Sequence, residues 1–160
     1  MPTSDAAAEA AQLETLLAQE RDIQFDSFGY ADAWTVGSRL VELATSRGLS
    51  TTTSLVFGDQ RVFHSALEGT SADNDDWLER KFRVVRRFGH ASLTIGTRFR
   101  ARGLEFAVDS GLDPRLYAAH GGAFPIRVRG SIVGILGVSG LTQFEDHELV
   151  VEALSAHAAR

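Results

Sequence analysis

Apolar residues recur along this chain in two rhythms, every three to four positions in some stretches and every second position in others, the periods of helix and strand. The Ala-rich run from Asp5 to Gln19 places Leu13, Leu16 and Leu17 on one face and reads as a helix that packs late or against a partner. Residues 1–12 are expected to form a flexible leader and residues 13–160 a single domain. A second helix is predicted over Ala33–Arg47, capped by Asp32 and closed by Gly48, with Trp34, Leu40, Val41 and Ala44 as its apolar stripe. Thr51–Phe57 and Arg61–Leu67, joined by Gly58-Asp59, read as a hairpin.

The strongest helical signal follows the acidic first turn Asp73 to Asp76. Trp77, Leu78, Phe82, Val85 and Phe88 keep helical spacing, and Ser92, Ile95 and Phe99 stay near the same face. The pattern predicts one helix, kinked at its glycines, as far as Arg102. Asp113-Pro114 predicts a short helix start. Phe124–Val128, the Arg129-Gly130 turn and Ile132–Val138 predict a second hairpin, and Thr142 to Glu145 is a capping box that opens a closing helix carrying Val150, Val151 and Leu154. Hairpins alternate with helices without a βαβ rhythm, so the expected class is α/β of the α+β kind, an antiparallel sheet with helices packed on its faces.

Composition adds constraints. With 44% hydrophobic residues and no cysteine, the 160-residue chain can bury a core without disulfides, and thiolate nucleophiles and cysteine-ligated metals are excluded. The net charge of -5 argues against a nucleic-acid partner. The first twenty residues lack the pattern of a signal peptide and no apolar run reaches membrane length, so the protein is expected to be cytoplasmic, with no membrane contact.

Charge is uneven, however: the stretch Arg80–Arg102 contains eight basic residues and no acid. On a helical wheel Arg80, Arg83, Arg86, Arg87, Arg98 and Arg102 fall opposite the Trp77–Phe88 stripe. Dipole complementarity explains such a face, and anion binding or subunit contact are the alternatives. Lys81 is different, because it falls about 40° from Trp77, inside the apolar stripe. It is either a pocket lysine or one that snorkels along Trp77 with its head in water.

His120-Gly121-Gly122 places an imidazole before two permissive residues and is either a pocket rim or an ordinary turn. No histidine pair has metal-ligand spacing, so no metal site is assigned, and the acids around His147 are explained by a helix start. Ser139 sits in a sequence that fails the nucleophile-elbow pattern at Leu141.

Asp73-Asn74-x-Asp76-Trp77-x-x-Arg80-Lys81, Val84-Val85-x-Arg87-Phe88-Gly89, Ala118 to Val128, Gly134 to Leu141 and Glu145-Asp146-His147-Glu148 occur together in this order. The combination resembles uncharacterised protein family 0303, in the haem-degrading-domain group with the GlcG and HbpS proteins. The resemblance covers Leu13 to Leu154 and implies a profilin-like sandwich that assembles into dimers or larger homo-oligomers. Some relatives in that group bind haem or a corrinoid, but none of their ligand positions transfers to a residue here. Two readings follow. In one, a small molecule, with haem or a related tetrapyrrole the named candidate, is held by Trp77, Arg80, Lys81, His120, Gly121 and Gly122, with His120 the candidate axial ligand. In the other, the chain is a non-catalytic oligomeric scaffold whose Arg and Trp residues anchor subunit contacts. The sequence assigns no reaction.

Overall fold

The computed structural model describes residues 3–160 and contains six helices and four strands in one antiparallel sheet. In chain order these are α1 (Ser4–Asp22), α2 (Tyr30–Ser46), β1 (Thr52–Phe57), β2 (Gln60–Ala66), α3 (Ala72–Phe88), α4 (Ser92–Ala101), α5 (Phe106–Asp109), β3 (Ala123–Val128), β4 (Ser131–Ser139) and α6 (Gln143–Ala158). The sheet order is β2-β1-β4-β3, so the two predicted hairpins lie side by side through the β1–β4 pairing, Leu55 opposite Leu136.

Strand alternation divides the core between the two faces of the sheet. Leu55, Phe124, Ile126, Leu136 and Val138 meet Val36, Leu40 and Ala44 of α2 and Leu149, Val150, Ala153 and Leu154 of α6. On the opposite face, Val56, Ala123 and Ile135 meet Leu78, Phe82 and Val85 of α3. Gly137 of β4 is required there: a Cβ would stand against the Phe82 ring and 2.8 Å from Leu78 Cδ2. A third cluster, Val84, Ile95, Phe106 and Ala119, joins α3 to α4 and α5. Among the described residues no helix is long and apolar enough to cross a membrane.

Several expectations are corrected. Residues 4–12, expected as a leader, are the first half of α1, capped by the Thr3 hydroxyl; Met1 and Pro2 lie outside the described residues. Alternating alanine with polar residues weakens the apolar pattern, and α1 is instead seated through Leu16, 1% exposed, and the buried Glu20. Glu20 accepts hydrogen bonds from Thr94 at 2.7 Å and Arg127 at 3.1 Å, with His90 at 3.3 Å. The helix α2 starts three residues before the predicted position. Asp32 is its N3 residue and accepts from the Gly29 N–H at 2.7 Å, and Trp34 points outward, 68% exposed.

The long helix predicted to Arg102 is two helices. Gly89 adopts φ 69° and ends α3 with a left-handed cap, and α4 restarts at Ser92. A single wheel therefore does not relate Arg98 and Arg102 to Arg80. The predicted helix after Asp113 is one turn, in which the Leu116 and Tyr117 N–H groups donate to the Asp113 carbonyl at 3.0 Å. The α3 arginines are not merely solvated: Arg80 and Arg83 donate to the Pro114 and Leu116 carbonyls, and Arg86 to that of Gly58. The loop leading to His120 is thereby fastened to α3.

Candidate functional site

One end of the sheet brings the candidate residues together. α3 runs across the end of β4, where the chain turns at Gly140 into α6, and the 114–122 segment closes the third side. Because α3 presents Leu78, Phe82 and Val85 to the sheet, Lys81 on the same side is carried under the protein surface, 3% exposed. It does not snorkel along Trp77: its head is paired inside the protein, on the wall of a cleft. Lys81 Nζ donates to the Val138 carbonyl and to Asp146 Oδ2, each at 3.1 Å. Asp146 Oδ1 accepts the Leu141 N–H at 3.0 Å. Burial pulls the Lys81 ammonium below the ordinary lysine range and lifts the Asp146 carboxyl above the ordinary carboxylate range, while the attraction between the two opposes both shifts.

Trp77 and Arg80 occupy the next position outward on α3. The Arg80 guanidinium lies 4.1 Å from the Trp77 ring centroid, a cation–π arrangement, and its Nε is buried without a partner among the described residues. The His120 ring stands 5.1 Å from Trp77 at 50°. Its pKa is lowered, by desolvation first and then by Lys81, Arg80 and Arg100, which favours the uncharged imidazole.

Two clefts meet at His120 and Gln143. The larger, about 420 Å³, is bounded by α4, α5 and the 114–119 loop, with Arg80 and Arg100 on its wall and Leu104, Phe106 and Tyr117 as apolar surface. The smaller, about 230 Å³, lies between the starts of α3 and α6 and is lined by Asn74, Trp77, Lys81 and Ser139. Gly121 and Gly122 line neither cleft and act by close packing. A Cβ on Gly121 would collide with the Gln143 carbonyl, and one on Gly122, at φ 132°, would lie 2.8 Å from Lys81 Nζ.

Asp146, Gln143, Asn74 and Arg100 are site residues that sequence reasoning passes over. A signal for Asp146 exists: it precedes Val150 and Leu154 by four and eight residues and so shares the buried face of α6. Arg100 carries no such mark, because its position relative to Arg80 depends on the helix break at Gly89. His147, beside Asp146, is buried against Phe124, and its Nε2 lies 2.7 Å from Gln19 Oε1 of α1. Burial pushes its pKa down to about 4.

Comparison with known proteins places this arrangement in context. Residues 28–155 match the family model described as haem degrading protein HbpS-like. A UPF0303 protein of Streptomyces avermitilis is 50% identical over 155 residues, 96% of this chain and 95% of that protein. Among solved structures, Ybr137w superposes with a TM-score of 0.83 at 28% identity, covering 92% of this chain and 87% of that one. A PduOC–haem complex superposes with a TM-score of 0.67 at 16% identity over 81% of this chain and 94% of that one, a likeness of fold.

Proposed function

The chain belongs to the HbpS-like haem-degrading protein family, and from that membership we propose that it binds a small molecule with an apolar body and anionic substituents, haem or a related tetrapyrrole being the named candidate. The observation that carries this reading is the position of His120 at the edge of the 420 Å³ cleft, with Arg80 and Arg100 on the same wall. The donor set fits the group. Arg80 and Arg100 put positive charge on the cleft wall for propionates, Arg80 while donating to the Pro114 carbonyl at 2.8 Å and Arg100 while paired with Glu9 at 3.0 Å. Leu104, Phe106 and Tyr117 offer apolar surface to one edge of a macrocycle, since the 420 Å³ cleft is smaller than a whole haem, and His120 offers a ring nitrogen to iron. Haem, when bound, would supply a redox-active iron centre. Lys81 takes a supporting part, because its charge is already matched by Asp146.

A haemin titration tests the reading. Wild-type protein is expected to shift and sharpen the Soret band, His120→Ala to lose the ligated spectrum, and Arg80→Ala to weaken binding. A wild-type spectrum identical to free haemin overturns it. Ascorbate under air then separates binding from turnover, since only loss of the Soret band with product formation reports degradation.

A second reading, assembly into a homo-oligomer, is favoured by Trp34 and Tyr30 of α2, 68% and 66% exposed. Large apolar side chains at such exposure suit a subunit contact. Light scattering is expected to give a multiple of the 17.4 kDa chain mass that falls in Trp34→Glu; a monomer mass for the wild type excludes it.

A further inference from the structure

We propose that the 230 Å³ cleft between the starts of α3 and α6 is a separate binding site for a small aliphatic monocarboxylate. Asp146 is the one buried acid on the walls of the cleft, and each of its oxygens already accepts a hydrogen bond, from Lys81 or from the Leu141 N–H. Lys81 Nζ uses two of its three N–H groups on Val138 and Asp146, which leaves one.

Two side-chain amides are turned the same way by backbone donors. Gln143 Oε1 accepts the Gly121 N–H at 3.2 Å, and Asn74 Oδ1 accepts the Ser71 N–H at 3.0 Å as part of the α3 capping box. Their acceptor ends are therefore occupied, and their NH2 ends remain as donors; the Asn74 amide reaches Ser139 Oγ only at 3.4 Å. Trp77 and His120 complete the lining. A neutral ion pair surrounded by unspent N–H and O–H groups is a receptor for a carboxylate.

Size and charge narrow the class further. At ~30 Å³ per water the cleft has room for roughly seven waters, hence for a solute of about as many heavy atoms. Trp77 and Leu141 supply apolar wall for a short alkyl chain, while the exposed Asp73 carboxylate at the mouth opposes a second negative charge. A monoanion is favoured over phosphate. The cations that surround His120 also set a direction: a bound carboxylate offsets Lys81 and Arg80, so the His120 pKa rises when the cleft fills.

The test is an NMR titration of the full chain with sodium acetate at constant ionic strength, reading the Trp77 indole N–H and the Gly121, Gly122 and Gly140 amides. Acetamide, chloride and phosphate are the comparison solutes. Saturable shifts with acetate, weaker ones with phosphate, none with acetamide or chloride, and a raised His120 pKa at saturation are expected. Ser139→Ala, which leaves the larger cleft untouched, is expected to weaken acetate roughly tenfold, the size of one hydrogen bond to a charged group. Uniform, unsaturable shifts, or shifts reproduced by acetamide, overturn the site. Phosphate binding as tightly as acetate overturns the monocarboxylate assignment. The haemin titration is independent of these outcomes, so either reading can fail without the other.

Discussion

Lys81 shows how far one side chain can be read before its neighbours are known. Its helical phase relative to Trp77 and Val85 places it on the buried side of α3, and elementary electrostatics then requires a partner. Which partner is a tertiary fact: Asp146 lies 65 residues later and meets it at the end of β4. Removing one member of such a pair leaves a buried charge, so Lys81→Met is expected to cost about 3–5 kcal/mol in urea unfolding. The double change Lys81→Met/Asp146→Asn should cost clearly less than the sum of the single changes. Additive losses would mean that the two side chains act independently.

At the scale of elements, periodicity locates α2, both hairpins, α3 and α6, because each buries an apolar face whose spacing is local. It finds α1 as a helix but not what seats it, and it misses the break between α3 and α4. The seating of α1 is mainly polar, through Glu20 to Thr94 and Arg127, Gln19 to His147, and Glu9 to Arg100 at 3.0 Å, and polar contacts leave no period in the sequence. The junction turns on one residue, Gly89, whose left-handed conformation converts an apparent kink into an end. With a single leucine deeply buried, α1 is expected to detach as a unit. Glu20→Ala should open residues 4–19 to limited proteolysis while the rest of the chain resists. Simultaneous digestion of the whole chain would show instead that α1 and the sheet unfold together.

For the whole molecule, pH is the natural probe, because His147 is buried between the sheet face and α1. Its pKa falls from 6.5 to about 4 on folding. The unfolded chain therefore binds the extra proton across that window, and stability, complete above pH 6.5, is lost as the pH falls toward 4. At about 1.4 kcal/mol per unit the loss is about 3 kcal/mol. His147→Gln keeps a polar partner for Gln19 and does not titrate, so its stability curve should be flatter than wild type between these limits; parallel curves would refute the assignment. The same histidine marks the boundary of what residue order determines here. Local patterns sufficed for the sheet hairpins, the main helices, the buried phase of Lys81 and the turn at His120-Gly121-Gly122, since each depends on neighbours within a few residues. The pairing of Lys81 with Asp146, the polar seat of α1, and the two clefts that share His120 were decided by the tertiary structure alone. Each joins residues far apart in the chain, whose distance is set only when both faces of the sheet are packed.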